Sequence, residues 1–178
     1  MCKTLETNLQ AIAEYARTHT EENQRFKTFL RRIPSERLDA LVTTLNAEVE
    51  PQIDCTTCGN CCRHFHAAAL ENELPPLAAE KGRSVEAFKA EFLVPYKEAY
   101  YFASTPCPML QPDNLCSIYA HRPKSCQTFP NLVGPHFKYR FHSVMEKYPI
   151  CPIVFNVVEK LKRALHFESA LHDAEMRT

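Results

Sequence analysis

Cys55-Thr-Thr-Cys58-Gly-Asn-Cys61-Cys62 places four thiols within eight residues, and Cys107, Cys116, Cys126 and Cys151 follow downstream. Eight clustered thiols are either oxidised to disulfides or hold metal. Thiolates are soft ligands that select zinc, copper(I) or iron–sulfur clusters over magnesium or calcium. A Cys-x-x-Cys pair lets two sulfurs converge on one metal from a tight turn. Gly59, directly after Cys58, frees the backbone where such turns need a positive φ.

The third cysteine at the same interval, Cys61, makes a run similar to the ferredoxin ligand pattern, whose fourth cysteine precedes a proline. Cys107-Pro108 and Cys151-Pro152 both qualify as that distant fourth ligand. Adjacent Cys61 and Cys62 are hard to place on one tetrahedral ion, because neighbouring side chains diverge. Two metal positions or one polynuclear cluster would use both. One division puts Cys55, Cys58, Cys61 and Cys151 at one centre and Cys62, Cys107, Cys116 and Cys126 at another. The bland reading, eight small buried hydrophobes, requires a coincidence of spacing. Cys2 stands alone near the terminus and reads as unpaired.

His64 and His66 follow the cluster and read as groups that support the ligands or face solvent, since eight sulfurs are already available. His121, His136 and His142 are weaker candidates. Arg122, four residues before Cys126, can donate hydrogen bonds to thiolate sulfur or to loop carbonyls, or form a plain structural salt bridge. No residue is singled out as catalytic. The chain has no Gly-x-Gly-x-x-Gly, phosphate loop, His-Glu-x-x-His or Gly-x-Ser-x-Gly. Arg31-Arg32 and Lys160-Leu-Lys162-Arg163 read as solvated helix faces, and Lys138-Tyr139-Arg140 is too little for RNA binding.

The 178 residues are 45% hydrophobic and 24% charged, with a formal net charge of zero. These are globular values without a global field to draw nucleic acid or an anionic membrane. No stretch is long and apolar enough for a membrane span, and no secretory leader is read at Met1-Cys-Lys-Thr-Leu-Glu. A cytoplasmic location follows as an expectation. There disulfides are rare, so the cysteines read as metal-binding or redox-active rather than as staples.

The elements that must position these thiols are expected to be mainly α. A compact helical domain spanning 1–178 would carry a loop-rich, metal-stapled cysteine region over 54–152 and at most a few short strands. Helices are expected through 3–50, with Leu5, Leu9, Ile12 and Ala16 on one face and Phe26, Phe29, Leu30 and Ile33 on the next. Over Ser35 to Glu50, Leu38, Leu41, Val42, Leu45 and Val49 form a helical stripe, with Ser35 as N-cap and Pro51 ending it. Core burial explains these stripes better than a partner surface. Short helices follow at Leu77 to Lys81, stopped by Gly82, and at Ser84 to Phe92, capped by Ser84. Tyr96 to Thr105 is expected to supply a strand or two. Eight prolines between Pro106 and Pro152 argue against long regular elements there. Bound metal is the natural organiser of such a stretch, which carries four of the cysteines. A last helix over 153–174 is read from Val154, Val157, Val158, Leu161 and Leu165.

Asp54-Cys-Thr-Thr-Cys-Gly-Asn-Cys-Cys62, Pro106-Cys-Pro-Met-Leu110, Cys116-Ser-Ile-Tyr-Ala-His-Arg-Pro-Lys-Ser-Cys126, Phe129-Pro130 and Cys151-Pro152 together resemble the CxxCxxCC zinc- or iron-chelating domain family of cysteine-cluster proteins. The resemblance covers about Asp54 to Pro152. It implies that Cys55, Cys58, Cys61, Cys62, Cys107, Cys116, Cys126 and Cys151 are the metal-binding set, within a mainly helical fold. Gln127 departs from the arginine the family often carries after that cysteine. Some members are called iron–sulfur oxidoreductases, and flagellin lysine N-methylases share a related cluster. The expected function is a cytosolic metal-binding protein holding an iron–sulfur cluster, favoured by the triple spacing, or zinc. The alternatives are a metal-dependent enzyme, as an iron–sulfur oxidoreductase or a protein-lysine methylase, and a metal storage or delivery protein. Metal ions are the expected partners, with a protein partner for delivery.

Overall fold

The computed structural model describes residues 4–167. Among them lie ten α-helices and one three-stranded sheet, so the fold is mainly α. In chain order these are α1 (Leu9–Thr18), α2 (Thr20–Leu30), α3 (Ser35–Val49), α4 (Cys55–Cys58), α5 (Asn60–His64), β1 (Ala68–Leu70), α6 (Leu74–Glu80), α7 (Val85–Phe92), β2 (Leu93–Tyr96), β3 (Ala99–Phe102), α8 (Lys124–Gln127), α9 (Phe137–Lys147) and α10 (Pro152–Ala164). The backbone divides into two compact units, Met1–Ile53 with Pro130–Thr178, and Asp54–Phe129.

The first unit is all helical. Asn8 caps α1, its Oδ1 accepting from the backbone N of Gln10 and Ala11. Of the expected apolar stripes, Ile12, Phe26, Leu30, Leu38, Val42, Val49, Val154, Val157, Val158 and Leu161 are buried, joined by Phe141, which no stripe marked, whereas Leu5 precedes α1 and is not helical. Phe26 meets Phe141 edge to face at 5.7 Å. α10 is sheathed on nearly every side, which explains its buried Asn156 and Lys162. Asn156 accepts from the backbone N of Glu6 and donates to the carbonyls of Glu6 and Pro152, tying the early chain to the last helix. Lys162 Nζ lies 2.7 Å from Glu22 and 2.8 Å from Glu159, and the Tyr148 hydroxyl donates to Glu159 at 2.6 Å. A buried charge requires such partners.

Several expectations need correction. Pro34, not Ser35, occupies the cap position of α3, and Ser35 is the first helical residue. The proline-rich 106–152 stretch contains an 11-residue helix, α9. All eight of its prolines fall outside that helix, the nearest at 135 before it and 149 after it. The cap comes from a distant residue: both Asp39 carboxylate oxygens, on α3, accept from the backbone N of His136 and Phe137 at 2.8 Å. α10 ends at Ala164, and residues 168–178, on which the rest of the expected 153–174 helix falls, lie outside the described residues. So do Cys2 and the first residue of the expected 3–50 helical span.

In the second unit, α6 starts at Leu74, earlier than Leu77, because Pro75 is favourable in a first turn. Ser84 caps α7 as expected, its Oγ accepting from Ala87 N at 3.2 Å. β2 and β3 form an antiparallel hairpin, and β1 pairs with the other side of β3, giving the order β1-β3-β2. Pro95 is tolerated because β2 is an edge strand. Ala69, Leu74, Leu77, Phe88, Leu93, Phe102, Met109 and Ile118 make this unit's core, and Cys107 is buried among them.

Candidate metal centre

The cysteine run is built as two short helices rather than a loop. Asp54 caps α4: its Oδ1 accepts from the Thr56 hydroxyl at 2.6 Å and from Thr56 N at 2.8 Å. Those bonds hold its carboxyl below the usual range. Gly59, at φ 58°, ends α4 and starts α5. A Cβ there would stand 2.9 Å from Arg63 Nη1 and 3.3 Å from both Asn114 Cβ and Leu110 Cδ1, so only glycine fits comfortably. Arg63 Nη1 donates to the Cys58 carbonyl at 3.3 Å, and its Nη2 donates to Asn114 Oδ1. Asn114 Nδ2 then donates to the Thr57 carbonyl at 3.2 Å. This strut joins the two cysteine helices to the turn at 111–115.

Three further segments reach the same place. Cys107 N donates to the Cys62 carbonyl at 2.7 Å. Leu110 and Cys116 face each other in an isolated antiparallel bridge, reinforced by Ser117 N donating to the Met109 carbonyl at 2.8 Å. Cys126 rides on α8, which is anchored to β1. Ser125 Oγ donates to the Ala68 carbonyl at 2.6 Å, and Lys124 N donates to Glu73 at 2.7 Å.

The thiols of Cys62, Cys107, Cys116 and Cys126 lie within electrostatic reach of one another. Burial pushes Cys107 and Cys126 up to about 11, and negative charge on the neighbouring cysteines adds to it. Cys116 is raised by burial as well. Cys62 moves the other way, to about 7, chiefly through its hydrogen bond with Cys61, whose Sγ is 4.0 Å away, and with help from Arg63 and Arg122. Arg122 also acts on Cys116 and Cys126, and Lys81 acts on Cys116. The metal-free set thus accepts one negative charge readily and resists a second. No three His, Cys, Asp or Glu side chains among the described residues are gathered tightly enough to hold an ion as they stand. The four thiols are neighbours, not preset ligands. Their chemistry fits a soft metal cation, which would replace thiol protons and offset the repulsion that keeps the sulfurs protonated.

The remaining predicted ligands are placed as follows. Cys55 is exposed at the start of α4, while Cys58 and Cys61 are half-buried. Cys151 is buried in the first unit, at the N-cap of α10. His64 and His66 are exposed, each with Nδ1 against a carbonyl, that of Asn60 at 2.9 Å and of Phe102 at 2.7 Å. His121 faces Glu80 at 3.6 Å, and His142 faces Glu146 at 3.8 Å. His136 precedes α9 in a left-handed conformation. Gln127 Nε2 donates to the Arg122 carbonyl at 2.6 Å, shaping the loop before Cys126. Arg63, Asn114 and Lys81 drew no attention as site residues in the sequence. Only the position of Arg63, directly after the cysteine pair, was a signal.

No described helix is long and apolar enough to cross a membrane. Searches among curated proteins and among solved structures returned no match. A family profile, CxxCxxCC, described as "Putative zinc- or iron-chelating domain", matches residues 54–152. That stretch holds all eight of the cysteines named above and more than half of the chain. The chain belongs to the CxxCxxCC family of zinc- or iron-chelating domains.

Proposed function

We propose that this protein binds zinc or iron at a four-thiolate centre made by Cys62, Cys107, Cys116 and Cys126, in a reducing compartment such as the cytosol. The observation that carries this reading is the mutual electrostatic influence of these four thiols, which come from four separate segments of one unit. Four sulfurs saturate a tetrahedral ion and leave no open position for substrate, so the metal's role is structural. The segment it would organise is otherwise thinly held. From 103 to 129 the regular structure is one isolated bridge, one three-residue 3-10 turn and the four-residue α8.

Cys151 remains a proposed metal ligand, and Cys55, Cys58 and Cys61 remain proposed ligands of a second position. Their ferredoxin-like triple spacing supports an iron–sulfur cluster as the alternative cofactor. Metal and sulfide analysis of anaerobically purified protein, with its absorption spectrum, separates the two. Zinc or iron without acid-labile sulfide is the expected result for the first centre. Abundant sulfide with visible bands that bleach on reduction would replace it by the cluster reading. Cys62→Ser decides the ligand set. It should abolish binding at the first centre, and an unchanged metal content and affinity would remove Cys62 from the centre.

A further inference from the structure

The Arg122 side chain sits beside the thiols with a hydrogen bond unspent. Its guanidinium lies over the Tyr119 ring, with Cζ 3.7 Å from the centroid. Nε is buried and has no hydrogen-bond partner. No carboxylate pairs with Arg122 among the described residues, which removes the plain salt bridge as its role. A buried donor left unmade is costly, and folded proteins seldom leave one without a reason. The loop-shaping bond at this residue uses its backbone carbonyl, which accepts from Gln127, and leaves the guanidinium free of that task. Meanwhile the Arg122 charge acts on Cys62, Cys116 and Cys126.

We infer that Arg122 is a positioning residue of the metal centre, whose buried Nε–H donates to metal-bound cysteine sulfur and whose charge offsets that of the loaded site. The inference rests on the metal-binding reading and deepens it. A divalent ion on four thiolates keeps a double negative charge, which in a half-buried site needs compensation. Arg63 and Lys81 also supply positive charge to the set, at Cys62 and Cys116 respectively. Of the three cations, Arg122 is the one with an orphaned buried donor. The guanidinium is held against the Tyr119 ring, and its planar fork presents an Nε–H that a lysine ammonium cannot copy. A donor to sulfur draws electron density from the thiolate. It therefore stabilises the bound anion and raises the energy of sulfur-to-metal charge transfer.

The test uses the whole chain with cobalt(II) as a spectroscopic probe and zinc competition against a chelator. Arg122→Gln should bind zinc about 10–100-fold more weakly, and its sulfur-to-cobalt band should move to lower energy. Arg122→Lys retains charge without the Nε–H. It should show the same band shift while recovering part of the affinity. A folded, fully loaded Arg122→Gln with an unmoved band and unchanged affinity overturns the inference. If that variant does not fold, an unmoved band in Arg122→Lys overturns it instead. Wild-type protein that takes up neither metal refutes the metal-binding reading itself. The absence of any cobalt band distinguishes that case from a failure of the Arg122 role.

Discussion

Cys62 is the pivot of the proposed centre because its backbone and its side chain both work there. Its carbonyl receives the Cys107 amide, and its thiol faces three others that burial keeps protonated. This sets the sign of the pH response. With Cys107 and Cys126 pushed up to about 11, metal must displace protons at neutral pH, and raising the pH weakens that competition. Zinc affinity should therefore climb with pH, each displaced proton adding about a tenfold gain per pH unit. Competition titrations on either side of neutrality check this, and a flat profile would deny that these thiols are ligands. Gly59 is the second residue on which the site turns. Gly59→Ala forces a side chain into φ 58° and against Arg63. It should cost about 1–2 kcal/mol from the left-handed backbone alone, read as a lowered denaturant midpoint of the metal-loaded protein.

At the scale of elements, two devices set where helices begin and end. Periodicity located the long ones. Leu38, Val42, Leu45 and Val49 in α3 and Val154, Val157, Val158 and Leu161 in α10 are buried as their spacing requires. It did not reveal α9, because prolines on both sides masked a proline-free stretch and because its capping group lies 97 residues away in sequence. Asp39→Ala removes both bonds to the start of α9. It should destabilise the protein by about 1 kcal/mol, with a range of about 0.5–2. Thermal unfolding measures the loss, and Asp39→Asn, which keeps an acceptor, should lose less. The cysteine helices α4 and α5 were equally hidden. Four- and five-residue helices carry too short a pattern to register, and they persist because Asp54, Gly59 and Arg63 hold their ends.

Across the molecule, the two units rest on different kinds of cohesion. The first, with its long amphipathic helices and buried aromatics, has an ordinary core. The second has a small core of its own and a long irregular segment beside its thiols. Chelation should accordingly open 103–129 to proteolysis while leaving Phe137–Lys147 protected, since α9 belongs to the first unit. Mapping cleavage sites before and after metal removal checks this. Equal protection of 103–129 in both states would mean that metal does not hold that segment.

Residue types and their spacing were enough to identify metal chemistry, a mainly helical fold and the family. Soft-ligand preference and the 3.6-residue period are local properties, legible wherever the pattern is long or the residue type rare. Which thiols become neighbours was not local. Cys62, Cys107, Cys116 and Cys126 span 65 positions (62 to 126), and they meet through a backbone bond at Cys62, a bridge at Cys116 and the seating of α8 on β1. The orphaned Nε of Arg122 is likewise a product of packing. The sequence alone determined the kind of chemistry, and tertiary structure decided which thiols are neighbours, because partners far apart in the chain are chosen only when the chain has folded.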